Sequence, residues 1–497
     1  MGVNKSAVII GSGIGGIATS IFLAKNGYDV SIYEKTSSPG GRCGHLVRDG
    51  HRFDLGATIF AMPSIYRQVF DSMGLKLEDC FEITELSNII KLHFGNGQEI
   101  IFTTDQSRME AQLEAMEPGS NKKLQLYVSE GYRFFQMALQ KLLGRNFFNF
   151  FEFINFKNIV LLIQLKSYLK HFKYVGRFFK HQHLKMAFTF QNIYVGQSPY
   201  KAPAFFSMLP AVELKEGSLF LKGGMYSIVE KLVATAIESG VKFNYNKAVT
   251  QINIDGKYAK SISFGDGTSI EADIIVANAE LPYVYNKLLP DKRLAEKINK
   301  LKYACSAIVF HWGLDKNFPQ LDHHNVFLAE DYERCMTKIF NDKSTDIPSN
   351  FYVHSPTHTD KTAAPENQDS LSIVIPVGHI DESKEQEWTT LKDKLRANII
   401  ERLKKAGLHD IDKHIKFEIC YLPKTWNTAY NISKGSVFGS LNHNIMQMGY
   451  FRPHNRHDKY KNLYFVGGST HPGNGVPLVL LSAKLTSERI LKDNTNS

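Results

Sequence analysis

The sequence predicts an α/β fold assembled from separated pieces of chain, and three features carry that prediction. A glycine-rich loop, Gly11–Gly16, stands between an apolar strand and a helix-forming run. A second one, Gly467-Gly468-Ser469-Thr470-His471-Pro472-Gly473-Asn474-Gly475, stands between a strand and a helix more than 450 residues later. Between them lie many strand signals and one basic, phenylalanine-rich stretch. A strand–loop–helix unit aims free backbone N–H groups and a positive dipole end at whatever sits above the loop. Two such loops at opposite ends of 497 residues imply termini folded around one ligand. The length implies two or three domains.

In order, Ser6–Gly11 reads as a short strand buried on both faces, and Ile14–Lys25 has helical spacing stopped at Gly27. Asp29–Glu34 alternates as a second strand, completing the β-α-β unit that binds dinucleotides. Ile89–Phe94 and Glu99–Thr103 flank Gly95-Asn96-Gly97 as a hairpin. Asn121–Leu169 is expected to be largely helical. Gly223–Glu238 reads as a helix opened by a glycine pair. Lys242–Asn246, Val249–Ile254 and Ala259–Phe264 read as three strands, with turns at Gly256 and Asp266-Gly267. Ala272–Asn278 is another buried strand. Ala307–Leu314 and Ser370–Val377 belong to a separate region, and Thr389–Ala406 is an amphipathic helix closed by Gly407. Leu463–Val466 and Val476–Leu491 frame the second loop.

The net charge is +10 and 43% of residues are hydrophobic, so the chain is basic and globular. Nine Lys or Arg and a single acid, Glu152, lie between Lys141 and Lys185. The excess charge is therefore local. The five cysteines are scattered with no C-x-x-C, which points to a reducing compartment. Ala7–Ile10 reads as core, so no signal peptide is expected ahead of it, and a cytoplasmic location follows. Met1–Ser6 fits a myristoylation pattern but reads as a polar lead-in.

Gly11-Ser12-Gly13-Ile14-Gly15-Gly16 fits G-x-G-x-x-G in the right setting, after a strand, opening a helix, ahead of an acid. Gly11 permits the tight turn, Gly13 lets backbone approach a pyrophosphate, and Gly16 lets helix and strand pack closely. Glu34, 18 residues beyond Gly16, is placed to accept both hydroxyls of an adenosine ribose. A carboxylate there disfavours a 2′-phosphate. In Pro39-Gly40-Gly41-Arg42 a guanidinium beside a glycine pair can clamp a pyrophosphate from the opposite side. Phe53–Thr58 adds another close approach at Gly56. A cofactor gripped by several segments stays bound, as flavins do, whereas NAD must leave each turnover.

With the tail motifs Phe451-Arg452-Pro453-His454-Asn455-Arg456, Asn462–Phe465 and Thr470-His471-Pro472-Gly473-x-Gly475-x-Pro477, the chain resembles the flavin-dependent amine-oxidase-like superfamily. Within it the tail is similar to the carotenoid desaturases of the phytoene desaturase type, in order from about Ala7 to Lys492. The resemblance implies a discontinuous Rossmann-like FAD-binding domain (1–80, 215–285 and 440–497), an antiparallel-sheet substrate domain (81–120 and 286–439) and a helical membrane-facing lid (121–214). It implies FAD held by Gly11, Gly13, Gly16, Glu34, Gly41 and Arg42, with Ile14, Gly15, Lys35, Gly40, Gly56, Ala57 and Thr58 beside them. It implies a backbone contact from Val249 to adenine, Asn278 in the strand running toward the cofactor, and Gly468 and Val476 beside the flavin ring, with Gly467 and Gly475 in the same loop. The implied substrate is a carotenoid or related isoprenoid. Pro477–Leu481 is bulkier than in many bacterial relatives, which leaves the exact carotenoid open. A later 3,4-desaturation or terminal-methyl oxidation is the alternative, and a flavin amine oxidase the remote one.

The implied reaction is dehydrogenation of a C–C single bond beside a conjugated polyene. A hydride passes to flavin N5, an allylic cation results, and the neighbouring carbon loses a proton. A helix N-terminus at Gly473–Val476 would stabilise negative charge at the N1–C2=O edge, and Pro477 fits its first turn. The candidate base is His471, set against a loop histidine satisfied by backbone. His181/His183 and His323/His324 have no third ligand near in sequence, so they read as solvated loop histidines and no metal is expected.

Leu142–Phe190 holds eleven of the 34 phenylalanines, interleaved with lysine and histidine, and has no charge-free span long enough to cross a bilayer. Apolar faces with snorkelling lysines suit a helix lying in the interface over anionic lipid, from which an insoluble substrate is drawn. The competing reading is a buried helical subdomain with a solvated basic face. Nucleic acid is not an expected partner. Oxygen or a quinone is the expected final electron acceptor.

Overall fold

The computed structural model describes residues 5–341, 350–383 and 385–495. Five parallel strands form one sheet, in the order Leu463–Phe465, Ile274–Ala277, Ser6–Ile10, Asp29–Tyr33 and Lys242–Asn244. Ser6–Ile10 is paired on both sides, and Ala7–Ile10 are buried on both faces of the sheet, which is why they read as an unbroken apolar run. A single strand separates it from Leu463–Phe465, so the two glycine loops leave the same end of one sheet, where its parallel strands finish. The helices that follow them, Ile14–Lys25 and Val476–Thr495, pack on each other.

Lys242–Asn244, the first of the three strands read between Lys242 and Phe264, extends this parallel sheet. It follows the helix Tyr226–Glu238, but the strand before that helix, Ser218–Leu221, pairs with Ile83–Leu86 outside this sheet, so no local crossover fixes its direction. The small antiparallel sheet is Val249–Asp255, Tyr258–Phe264 and Ser269–Glu271.

A seven-stranded sheet takes the order Ile415–Tyr421, Ser306–Leu314, Asp369–Val377, Phe351–His354, His324–Leu328, Asn88–Phe94 and Glu99–Thr103. It is mixed rather than antiparallel as expected, because Asn88–Phe94 lies parallel to His324–Leu328. No tight turn joins that pair, so nothing local dictates its direction. The helix Trp388–Lys405 lays Leu391, Leu395, Ile399 and Leu403 on this sheet, over Trp312, Ile373 and Ile375. Each such burial stabilises by about 1.5–3 kcal/mol before entropy is counted.

The helical stretch expected at Asn121–Leu169 is broken into Ser120–Ala138, a π-turn at Leu139–Leu143, Phe150–Phe153 and Phe156–Gln164. Asparagines cause the last two starts. Asn149 accepts from Glu152 N, and Asn155 from Asn158 N, each at 3.0 Å, capping new helices. Among the described residues no helix is long and apolar enough to cross a membrane.

Candidate functional site

The first strand ends at Ile10 and the helix begins at Ile14; Gly11 N donates to Tyr33 O at 2.8 Å, so the amides left for a ligand are those of the helix's first turn. Asn278, at the end of the neighbouring strand, lies under this loop. Its backbone N–H donates to Ile10 O at 2.9 Å, and its Nδ2 donates to Gly11 O at 3.1 Å. A Cβ on Gly13 would stand 2.8 Å from Asn278 Nδ2, and one on Gly16 would stand 2.4 Å from Gly11 O. Side chains are therefore excluded here by the protein itself.

Glu34 is buried at the end of the second strand. One carboxylate oxygen accepts from Ser12 N and Oγ (2.8 and 3.0 Å), the other from Thr36 N and Oγ1 (3.0 and 2.9 Å). Two of those four donors are hydroxyls that can rotate away for a ribose. Gly40 N donates to Ser12 O at 2.9 Å, so Pro39–Arg42 folds back over the first loop. Gly56 seats that segment, since a Cβ there would lie 2.2 Å from Arg42 O. The Arg42 guanidinium pairs with Glu280 at 3.3 Å and donates to Val437 O at 3.4 Å. Burial pushes the Glu280 carboxyl up, against the pull of Arg42.

The second loop is held by side chains from the tail. Arg452, fully buried, donates from Nε to Thr470 O (2.9 Å) and from Nη2 to Gly468 O (2.6 Å). Burial lowers this guanidinium to about 9, and Glu280 opposes that shift. The Asn455 amide donates to His471 O and Ser482 Oγ, both at 3.0 Å.

One cavity of about 690 Å³ joins these parts. It is lined by Gly11, Gly13, Ile14, Gly15, Glu34, Lys35, Gly40, Gly41, Arg42, Gly56, Ala57, Thr58, Val249, Asn278, Gly467, Gly468, Gly475 and Val476. Gly16 lies behind the loop. The same cavity continues among Leu143, Leu165, Phe190, Phe206, Leu209, Val326, Phe351 and Trp426. A dinucleotide cradle thus opens into an apolar compartment. The free amides, the positions with no room for a Cβ and the fixed carboxylate fit the adenosine and pyrophosphate of FAD.

The family described as flavin containing amine oxidoreductase matches residues 14–491. This chain belongs to that family. Among curated relatives, the zeta-carotene-forming phytoene desaturase of Myxococcus xanthus is 36% identical, over 98% of this chain and 94% of its own length. The phytoene desaturase of Fusarium fujikuroi is 34% identical over 99% and 90%. The 4,4′-diapophytoene desaturase of Staphylococcus haemolyticus is 32% identical over 98% of each. A solved oxidoreductase of Methanosarcina mazei shares the fold, with a TM-score of 0.65 at 16% identity over 97% of this chain and 100% of its own. A putrescine oxidase variant does so at 0.63 and 12%, over 99% of each chain.

Within this flavin-family architecture, His471 stands apart from the expected base. It does not line the cavity. It is buried, donates from Nε2 to Arg145 O at 3.0 Å, and desolvation lowers it to about 4. The backbone-satisfied alternative describes that geometry. The reading of His323 and His324 as solvated loop histidines fails outright. Both are buried, and with His354 they place ligand nitrogens within 4.8 Å of one another. The third histidine was hidden because it sits on the paired strand, opposite His324 in register. His181 and His183 are half-buried, and His183 stacks on Phe94. Sequence reasoning also missed Glu280, Arg452 and Glu213. Glu213 is a buried carboxyl facing the apolar compartment, bonded to Gln191 Nε2 at 3.1 Å and pushed up to about 7 by burial.

Proposed function

We infer that this chain is an FAD-dependent carotenoid desaturase acting at a membrane surface. The observation that carries the reading is the single cavity in which a dinucleotide cradle passes into an apolar compartment, taken with relatives named for phytoene desaturation. Bound FAD supplies the acceptor for the hydride of a C–H bond. Gly13, Gly41 and Arg42 would hold its pyrophosphate, Glu34 its ribose, and the helix starting at Val476 lends its positive end to the flavin ring. Leu143, Leu165, Phe190 and Phe206 align a polyene and exclude water, which is the larger share of what this chemistry asks of a protein.

The membrane part rests on the surface. Phe151, Phe156, Ile163 and Tyr168 are 79%, 80%, 57% and 67% exposed, while Leu143 and Leu165 of the same stretch line the cavity. Lys141, Lys157, Lys170 and Lys173 punctuate it. A patch of that kind suits the interface of anionic lipid, with the substrate passing from lipid to cavity. Oxygen or a membrane quinone is the acceptor that reoxidises the protein.

Two experiments test this. Cells accumulating phytoene, or hydroxylated or monocyclic carotenes, should yield red-shifted extracts when they express the chain. No shift in any background defeats the desaturase reading. Protein mixed with anionic liposomes at low salt should float with them, and protein that stays at the bottom defeats the membrane reading.

A further inference from the structure

The buried histidines form a chain with two distinct ends. At the inner end the Tyr352 side chain lines the cavity, and Thr58, of the segment that seats Arg42, lies 2.9 Å from its hydroxyl. That hydroxyl is 2.8 Å from His324 Nδ1. At the outer end His323 Nδ1 lies 2.8 Å from Thr359 Oγ1, on a half-buried residue next to exposed His358. Between the ends, His354 Nε2 is 3.1 Å from His323 Nε2. His324 and His354 each offer a ring nitrogen to within 4.8 Å of the other's, a span that one water can close. His354 Nδ1 is buried with no hydrogen-bond partner, so no second bond pins that ring to one tautomer.

Hydride removal in a dry apolar compartment leaves a cation whose neighbouring proton has to reach water. We propose that Tyr352, His324, His354 and His323 relay that proton from the cavity to the surface at Thr359. The proposal rests on the desaturase reading. The first C–H bond gives its hydrogen and both electrons, as hydride, to the bound flavin. The second C–H bond breaks heterolytically, and its electron pair becomes the new π bond. Its proton passes to the Tyr352 oxygen as the hydroxyl's own proton passes to His324 Nδ1. Each imidazole accepts at one nitrogen and releases from the other, His354 handing on from Nε2 to His323. One proton emerges at Thr359 and every group is neutral again. A proton beside a carbocation is a strong acid, so a hydroxyl backed by imidazole is base enough. Desolvation holds all three histidines well below the usual imidazole range, so each stands neutral with a lone pair open. Positive charge at His323, His311 or Arg52 would push His354 the same way.

The test is anaerobic flavin reduction by carotenoid in FAD-loaded protein, run in H₂O and D₂O. Tyr352→Phe and His354→Ala should slow reduction about tenfold or more and raise the solvent isotope effect, with FAD content and substrate affinity kept. Free imidazole should restore His354→Ala and not Tyr352→Phe. If His354→Ala fails to fold, Tyr352→Phe decides. In histidine-¹⁵N-labelled protein the His354 ring nitrogens should average between tautomers. Unchanged rates and isotope effects in the variants overturn the relay, as does a single fixed His354 tautomer. So does a divalent cation retained by the wild type and lost from His354→Ala, since a metal would occupy the relaying nitrogens. Wild-type protein that no carotenoid reduces defeats the desaturase reading itself, and the relay with it.

Discussion

The two glycine loops leave the same end of one sheet yet are braced in different ways. The N-terminal loop rests on a neutral amide, Asn278, and on close contacts that exclude side chains. The C-terminal loop hangs from a fully buried guanidinium, Arg452, spanning the carbonyls of Gly468 and Thr470. An amide costs little to bury once it is bonded, whereas a guanidinium is costly to bury and tolerable only while its partners are present. The first loop is thus secured by close contact and by the Glu34 carboxylate at Ser12 N, the second by a buried guanidinium together with the Asn455 amide. That contrast explains why the recognisable tail motif extends back to Phe451–Arg456, well before the loop it supports.

The contrast can be broken from either side. The largest effect belongs to Arg452→Met, which orphans the buried carbonyls of Gln447, Gly468 and Thr470 and strips Glu280 of a compensating charge. It should cost about 3–5 kcal/mol in urea unfolding and abolish flavin retention. Arg452→Lys should recover only part, because an ammonium cannot reproduce the planar fork. Next, Gly16→Ala forces a Cβ against backbone that cannot yield, at 2.4 Å, and should cost about 3 kcal/mol.

Acid separates the loops more gently. The C-terminal loop contains His471, lowered by burial from the usual 6.5 to about 4, and Gly11–Gly16 contains no histidine. The unfolded chain binds the proton first, so this contribution to stability is complete above the unfolded value and is lost as pH falls from 6.5 toward 4. Between pH 7 and pH 5 the loss is about 2 kcal/mol. His471→Gln should flatten the pH dependence of unfolding by that amount while turnover per bound flavin holds. Lost turnover with bound flavin intact would return His471 to the chemistry. The smallest effect is Asn278→Ala, which removes one bond to Gly11 O. It should cost about 1 kcal/mol and weaken FAD binding measurably by titration of the apoprotein.

What the sequence revealed follows the same division. Gly11–Gly16, Glu34 and the first three elements were legible because strand, turn, helix and acid are local signals. The last loop was legible for the same reason, down to the start of its helix at Val476. Other features depended on pairings that no window of sequence contains. Lys242–Asn244 joined the parallel sheet beside Asp29–Tyr33, more than 200 residues away in sequence, and Asn88–Phe94 met His324–Leu328 in parallel. His354 came opposite His324 only through strand register. Arg452 was visible as part of a motif, but its task depended on where the loop carbonyls point.

The sheet order also constrains when the cradle can exist. Leu463–Phe465 completes an edge whose inner strands leave the ribosome more than 180 residues earlier. Until it arrives, Ile274–Ala277 is an open, apolar edge of the kind that invites pairing with a stranger. The nascent chain must carry that exposed edge while more than 180 further residues are made, and the second loop cannot close before then. Cofactor loading is therefore a late event, and an early supply of flavin cannot hurry it.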